Sequence, residues 1–299
     1  MMTRNNVKIF EALTWADDTL KATLSTAQNP KVDAQVLLAF VVGKGTAYLF
    51  AHGDDVLTDA REEQFRRLVE RRTNHEPVAY LLGNKEFYGR TFAVTHDVLI
   101  PRPDTETLVD TVISLISHDL SSSLIIDVGT GSGAIAVTLA CETGRTVVAI
   151  DESAAALDVA ARNAQKNGCA DRVAFLHGNL LTPLMTESNG ESLGEHVVIA
   201  ANLPYIAQRQ YNALDPDVKN FEPVRALVSG ANGLDHYDAL FTQLALRRNA
   251  FPKKLDVVIE IDPSQKLSAP GVVHKHFPHA STTVINDLAG KPRVVHVTL

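Results

Sequence analysis

The chain has 299 residues, 45% hydrophobic and 21% charged, which suits a globular enzyme of one large domain or two ordinary ones. Its formal net charge of −7 argues against a protein that depends on phosphate contacts, so a nucleic-acid partner is not expected. Only Cys141 and Cys169 occur and no run approaches the ~18 apolar residues of a membrane span, so the sequence excludes a disulfide framework and predicts a cytoplasmic protein without a membrane partner.

The first part of the chain is predicted to be helical. Apolar residues recur at helical spacing over residues 6–73, and Thr58 stands where it would cap a third helix. Five arginines crowd that helix; a solvated face is expected, with a patch for an anionic partner as the alternative. These arginines are Arg61, Arg66, Arg67, Arg71 and Arg72. Residues 84–99 alternate and contain Tyr88-Gly89, which predicts a β-hairpin.

After Thr105 the pattern alternates between strands and helices. The predicted strands are 123–128, 146–151, 172–177, 197–202, 255–261, 281–286 and 293–298, and the main predicted helices are 104–117, 133–142, 153–167 and 234–249. The alternation predicts a mostly parallel sheet with helices on both faces, closed by an antiparallel pair of final strands. Residues 182–195 are expected to form a surface loop, and the prolines within 263–280 oppose a long helix there.

A glycine-rich run follows the first of these strands. Asp127-Val-Gly-Thr-Gly-Ser-Gly133 comes after the apolar Leu124-Ile-Ile126 and opens a helix, so backbone can approach a ligand that side chains would block. Asp151 ends the next strand, where its carboxylate can accept hydrogen bonds from both hydroxyls of a ribose. The same spacing serves dinucleotide enzymes, so the turn alone leaves two cofactors open, S-adenosylmethionine and a dinucleotide.

One carboxylate favours the methyl donor. Asp127 lies just before the glycines, where it can face the ammonium group of S-adenosylmethionine or simply cap the loop. Asn179, after the third strand, is expected to bind the adenine amino group, with an ordinary turn residue as the alternative. The residues assigned to the cofactor are Asp127, Gly129, Thr130, Gly131, Gly133, Asp151, Asn179 and Asn202.

A second run, Asn202-Leu-Pro-Tyr205, follows the apolar segment Val197-Val-Ile-Ala-Ala201. Asn202 Oδ1 and the backbone carbonyl of Leu203 can accept both N–H groups of a planar amide or amino group and aim its nitrogen lone pair at a methyl group. Pro204 restricts the turn and Tyr205 can cover the planar group. Such positioning can contribute up to ~7–11 kcal/mol, and no metal is required. These four residues are the predicted catalytic and substrate-binding set.

Several further motifs extend over the chain, and in their order and spacing the sequence resembles the HemK/PrmC family of peptide-chain release factor glutamine-N5 methyltransferases. They are Glu76-Pro-Val-Ala-Tyr80, Glu86-Phe-Tyr-Gly89, Ile100-Pro-Arg-Pro-Asp-Thr-Glu106, Glu222-Pro223, Gly233-Leu234 and Asp287-Leu-Ala-Gly290. The resemblance implies a helical substrate-recognition domain (1–83), a hairpin linker (84–103) and a seven-stranded, mostly parallel, Rossmann-like methyltransferase domain (104–299).

The same resemblance implies the reaction and the partner. The methyl group of S-adenosylmethionine would pass to the glutamine of a Gly-Gly-Gln loop in class 1 release factors, with S-adenosylhomocysteine as the product. Arg102 and Glu222 would lie near the active site or shape its rim; a surface ion pair and a packing corner are their alternatives. A monomer is expected.

Three departures from the family leave other readings open. Leu203 stands where the family usually has proline, and Asn179 stands where aspartate is common. Ile261-Asp-Pro263 replaces the usual Glu-Ile-Gly context. The Asn-Leu-Pro-Tyr version is similar to that of ribosomal-RNA adenine dimethyltransferases. The alternatives are therefore adenine-N6 methylation of RNA or DNA, glutamine methylation of a ribosomal protein, and a cofactor-binding protein without catalysis.

Overall fold

A computed structural model describes residues 7–24, 29–117, 123–186 and 193–299. These residues form two compact units: one holds the described residues up to Gly83 together with Asp215–Phe221, and the other holds Asn84–Leu214 with Glu222–Leu299. The helices are α1 (Ile9–Lys21), α2 (Pro30–Val42), α3 (Thr46–Ala51), α4 (Asp59–Thr73), α5 (Val78–Leu82), α6 (Glu106–Ser117), α7 (Ala134–Thr143), α8 (Ala154–Lys166), α9 (Thr182–Thr186), α10 (Gln208–Tyr211), α11 (Pro216–Lys219), α12 (Asp235–Leu246) and α13 (Ser268–His276). The strands are β1 (Asn84–Phe87), β2 (Arg90–Ala93), β3 (Ser123–Val128), β4 (Val147–Asp151), β5 (Val173–His177), β6 (His196–Ala201), β7 (Lys254–Glu260), β8 (Ser281–Asn286) and β9 (Pro292–Thr298).

The helices of the first unit begin where capping residues predict. The Thr58 hydroxyl accepts a hydrogen bond from Arg61 N (3.4 Å) at the start of α4, and Asn29 caps α2 ahead of Pro30. Apolar side chains spaced three or four residues apart on α1, α2 and α4 fill a single core, with Leu37 and Phe65 fully buried. This packing confirms the helices predicted for this part of the chain.

The prediction that the arginines of α4 lie on a solvated face is wrong for Arg72, which is buried. Its side chain is only 4% exposed, and it donates to Asp33 Oδ2 (2.7 Å) and pairs with Asp217 Oδ2 (2.8 Å). His75 Nδ1 lies 3.1 Å from the other oxygen of Asp217. A buried cation needs such compensation, because an unpaired charge is costly in a low-dielectric interior. The segment Asp215–Phe221 is therefore held in the first unit by ion pairs.

The predicted hairpin is confirmed and opens the second unit. β1 and β2 pair antiparallel, with Phe87 opposite Arg90. The two residues between them, Tyr88 and Gly89, both have positive φ angles (50° and 68°), as a two-residue hairpin turn requires.

Within the described residues, seven strands form the main sheet in the order β5-β4-β3-β6-β7-β9-β8. The first five are parallel, and β9 runs antiparallel to both β7 and β8. This confirms the predicted Rossmann-like sheet and its antiparallel final pair. The strand order changes direction between β3 and β6, whose last residues, Val128 and Ala201, are paired neighbours. Ligands bind at such a switch point. The glycine-rich run and the Asn202–Tyr205 run therefore both start at this edge of the sheet.

Two segments differ from the sequence-based expectations. α9 occupies the start of the expected loop over 182–195, and positions 187–192 of that loop lie outside the described residues. α13 forms within 263–280 with Pro270 in its first turn, where a missing N–H removes no internal hydrogen bond. In the part of the chain described, no helix is long and apolar enough to cross a membrane.

Candidate active site

A cleft lies at the carboxyl ends of β3, β4 and β6, with about 1000 Å³ of empty space that is partly open to solvent. The predicted site residues that line it are Arg102, Gly129, Thr130, Gly131, Asp151, Asn179, Asn202, Leu203 and Pro204. Four predicted residues do not line the cleft: Asp127, Gly133, Tyr205 and Glu222. The first three lie within two residues of a lining residue in the chain, and Glu222 pairs with the lining residue Arg102. The two runs singled out in the sequence thus meet in one cavity.

The glycine turn is fixed against the neighbouring strand and the second run. Gly129 N and Thr130 N both donate to the carbonyl of Ile150 (2.8 and 3.0 Å). Gly129 has φ +75°, and a Cβ at this position would lie 2.9 Å from Leu203 Cδ2. Glycine is therefore required both by the backbone conformation and by the close approach of Leu203.

Asp127 is fully buried and does two things at once. Its Oδ2 accepts from Thr130 Oγ1 (2.6 Å) and Ala136 N (3.1 Å), which caps the turn as one interpretation of the sequence expected. Its Oδ1 is buried with no hydrogen-bond partner among the described residues. Burial raises the pKa of Asp127 to about 7. A buried acceptor without a donor fits the ammonium group of a methyl donor.

Asp151 supports the turn and faces the cleft. Its Oδ2 accepts from Gly131 N (2.8 Å) and its Oδ1 from Ser153 N (2.9 Å), which leaves a second lone pair on each oxygen. Burial raises the pKa of Asp151, whereas these backbone donors and the charge of Arg225 lower it. Arg225 also lines the cleft and donates to Ser153 Oγ (2.7 Å). The sequence alone gave no reason to select Arg225.

Asn179 lies in the cleft wall with both ends of its amide engaged. Its Nδ2 donates to Glu152 Oε2 (3.4 Å), and its Oδ1 accepts from Gln243 Nε2 (3.3 Å). These contacts give the exposed amide partners at the rim of the cleft, and its assignment to adenine stays a prediction.

The Asn202–Tyr205 segment is held by hydrogen bonds along its length. Asn202 Nδ2 donates to Thr105 Oγ1 (3.2 Å), and Leu203 N donates to the Tyr237 hydroxyl (3.2 Å). The Tyr205 hydroxyl donates to Glu260 Oε1 (3.3 Å). These bonds leave Asn202 Oδ1 and the Leu203 carbonyl as the acceptors of the predicted clamp.

The backbone of Tyr205 leaves no space for a side chain beside it. A Cβ on Gly233, which has φ +77°, would lie 2.1 Å from the Tyr205 carbonyl oxygen. The same oxygen accepts a hydrogen bond from Gln265 Nε2 (2.9 Å). Tyr205 is thus fixed by its backbone and by its hydroxyl, and its ring does not line the cleft.

Arg102 and Glu222 form an ion pair at the cleft. Arg102 Nη2 donates to Glu222 Oε1, and Ile100 N donates to Oε2 (3.2 Å). The Glu222 side chain is 1% exposed and that of Arg102 is 37% exposed. The buried Glu222 carboxylate therefore fixes the Arg102 side chain, which lines the cavity.

Besides Arg225, three residues that were not predicted from the sequence organise the site: Thr105, Tyr237 and Glu260. Glu260 is 1% exposed, ends β7 beside the end of β6, and has a pKa that burial raises to about 7. A carboxylate that ends an apolar strand at the ligand-binding edge was a usable signal, because Asp151 was found in the same way. Among the described residues no group of three or more His, Cys, Asp or Glu side chains could hold a metal ion.

Comparison with known proteins identifies the family. The PrmC N-terminal domain family matches residues 11–83, and a methyltransferase domain family matches residues 125–215. The release factor glutamine methyltransferase of Bacillus anthracis is 34% identical over 292 residues, covering 97% of this chain and 98% of that protein. The one from Bacillus subtilis (strain 168) is 36% identical over 292 residues, covering 96% of each.

Solved structures support the fold. The hMettl16 catalytic domain in complex with the MAT2A 3'UTR hairpin 6 superposes with a TM-score of 0.54 at 14% identity, covering 75% of this chain and 82% of that one. The delta-N METTL16 methyltransferase domain gives 0.50 at 16% identity, covering 71% and 90%. With matching sequence over nearly its full length and a methyltransferase fold, the chain belongs to the family of release factor glutamine methyltransferases.

Proposed function

We propose that this S-adenosylmethionine-dependent methyltransferase modifies the side-chain N5 of the glutamine in the Gly-Gly-Gln loop of class 1 release factors. The observation that carries the proposal is the meeting of the Gly129 turn and the Asn202–Tyr205 segment in one cleft. The relatives named as release factor glutamine methyltransferases support the substrate. We also propose that the protein acts as a cytoplasmic monomer.

The cleft offers a complementary group for each part of the methyl donor. The Asp151 lone pairs suit the ribose hydroxyls, the unpaired Oδ1 of Asp127 suits the ammonium group, and Asn179 suits the adenine. When bound, the donor supplies a methyl group already activated by its positive sulfur. The remaining task of the protein is to position the acceptor nitrogen.

The amide nitrogen of glutamine is a poor nucleophile, because its lone pair is delocalised into the carbonyl. Asn202 Oδ1 and the Leu203 carbonyl can accept its two N–H groups, which directs the lone pair and favours a tetrahedral nitrogen. Tyr237 holds Leu203 through its N–H, and Pro204 restricts Leu203 to extended backbone. Fixing two reactants in this way can contribute up to ~7–11 kcal/mol to the lowering of the barrier.

A methyl-transfer assay with labelled donor tests the function on three acceptors in parallel: purified release factor, ribosomal protein and RNA. We expect label on the release factor alone, at the glutamine of its Gly-Gly-Gln loop when the peptide is sequenced by mass spectrometry. A release factor with that glutamine changed to alanine is the matched control. Label on RNA but never on the release factor would overturn the proposal in favour of adenine methylation.

Leu203→Pro, which restores the family residue, is expected to change kcat/KM by less than about tenfold. The proposed role of Leu203 is carried by its carbonyl, which both residues have, but proline removes the N–H that Tyr237 accepts. Proline also lowers the conformational entropy of the unfolded chain, which can raise the free energy of unfolding by up to ~1 kcal/mol. Steady-state kinetics on release factor measure the change, and a loss of a hundredfold or more would show that the Leu203 side chain or N–H is essential.

Asp127→Asn is expected to stabilise the fold above pH 7 and to weaken donor binding. The folded pKa of about 7 lies above the ordinary value of 3.8, so the wild-type protein loses stability as pH rises towards and through 7. The full difference corresponds to about 4 kcal/mol in the free energy of unfolding, which asparagine does not lose. Urea unfolding at pH 5 and pH 8 measures the part of this difference that is lost between those two pH values, which is about 3 kcal/mol. If the difference in the free energy of unfolding between Asp127→Asn and wild type does not grow with pH, Asp127 does not carry a destabilising buried charge.

A further inference from the structure

We propose that Thr105 and Glu260 are positioning residues that set the direction of the Asn202 amide, so that its oxygen and not its NH₂ group faces the acceptor nitrogen. This inference rests on the proposed function and deepens it. Neither residue belongs to the Asn202–Tyr205 run, and the three come from different elements: the turn before α6, the end of β7 and the loop after β6.

The contacts form a chain that ends in the cleft. Asn202 Nδ2 donates to Thr105 Oγ1 (3.2 Å), and the Thr105 hydroxyl lies beside the Glu260 carboxylate, whose pKa it lowers by hydrogen bonding. Oε2 of Glu260 is buried and makes no hydrogen bond of standard geometry within the described residues, which leaves it as an acceptor for that hydroxyl. Thr105 is 4% exposed and Glu260 1%, so both groups lie out of contact with bulk solvent.

The direction of this chain follows from what each group can donate. An ionised carboxylate only accepts, so the single hydroxyl hydrogen of Thr105 must point to Glu260. The Thr105 oxygen can then act towards Asn202 only as an acceptor. Asn202 supplies the donor by turning its NH₂ group towards Thr105. Its Oδ1 is thereby left for the cleft. With the amide reversed, the NH₂ group would meet the N–H of the substrate glutamine, and two donors cannot bond.

The same carboxylate anchors the far end of the segment. The Tyr205 hydroxyl donates to Oε1, the oxygen not assigned to Thr105. Other charged or titratable groups face Glu260 from three elements: Arg293 on β9, Asp104 before α6, and Tyr237 on α12. Arg293 lowers the pKa of Glu260 and Asp104 raises it, while burial, the largest cause, brings it to about 7. Protonated Glu260 can donate to Thr105, which removes the fixed direction.

Thr105→Val and Thr105→Ser test the proposal as a matched pair. Valine keeps the shape but removes the hydroxyl, so we expect kcat on release factor to fall at least about tenfold while calorimetric affinity for S-adenosylmethionine stays within about twofold. Serine keeps the hydroxyl and is expected to bring turnover back to within about threefold of wild type. Wild-type turnover in the valine variant, or an equal loss in both variants, would overturn the proposal.

A pH profile gives a readout that a merely structural role would not move, and it also covers the case in which the valine variant does not fold. With donor and release factor saturating, wild-type kcat is expected to fall as pH drops below about 7, because protonated Glu260 no longer forces Thr105 to accept. In Glu260→Gln this acid limb is expected to disappear. The same limb in both proteins would refute the role of Glu260. Absence of wild-type turnover on release factor would instead refute the proposed function.

Discussion

We expect Asn202→Ala to lower kcat on release factor by at least about a hundredfold and to leave the affinity for S-adenosylmethionine within about threefold. In the proposed mechanism this side chain supplies one of the two acceptors for the glutamine amide; it lines the cleft, and its Nδ2 donates to Thr105 Oγ1. Loss of one preorganised polar group that acts on the reacting centre commonly costs about 10²–10³ in kcat. Asp127 and Asp151, the proposed partners of the donor, are unchanged in this variant, so donor binding is expected to change little.

Single-turnover methyl transfer and calorimetry on the same preparations separate the two effects. Asn212→Ala is the matched control, because Asn212 is an exposed asparagine just after α10 and does not line the cleft. We expect the control to behave as wild type. An Asn202→Ala protein that turns over at near-normal rate would show that the clamp lies elsewhere.

We expect Asp151→Ala to raise the dissociation constant for S-adenosylmethionine by at least about tenfold. Asp151 is proposed to accept two charge-assisted hydrogen bonds from ribose, each worth roughly 1.5–3 kcal/mol, and alanine removes both acceptors. The structure adds a second cause, since Gly131 N and Ser153 N lose their acceptor and the turn loses its support. Asp151→Asn keeps one acceptor oxygen for these donors and is therefore expected to fall between wild type and alanine.

Calorimetric titration with the methyl donor, repeated with NAD, measures this effect. Asp171→Ala serves as the control, because the Asp171 side chain is 80% exposed and lies before β5, away from the cleft. Unchanged donor affinity in Asp151→Ala, or tighter binding of NAD than of S-adenosylmethionine to wild type, would exclude the cofactor assignment.

The central strands β3, β6 and β7 were predictable because nearly all their residues are buried on both faces. β6 runs from His196 to Ala201 with every residue buried, close to the predicted 197–202, since a central parallel strand must be a continuous apolar run. The two loops after β3 and β6 could then be assigned to one site, because the carboxyl ends of neighbouring parallel strands share an edge. This reasoning needs no knowledge of side-chain contacts.

The contacts within the site could not be predicted in the same way. Thr105 belongs to a short turn with no periodic pattern, and its approach to Asn202 and Glu260 depends on how α6 packs on the sheet. Arg72 appeared to be one of several charged residues on an exposed helix, and its partner Asp217 lies far along the chain. Local patterns carry no information on partners so distant in sequence.

The pairing of Arg72 with Asp217 bears on the order in which the protein is made. Synthesis proceeds from the N-terminus, and domains generally fold as units while the chain emerges. The helices up to Gly83 can bring Arg72 to Asp33 early, but Asp217 is supplied only after β3, β4, β5 and β6 have been synthesised. The first unit to emerge is therefore completed late, and until then a buried arginine has one of its two carboxylate partners missing.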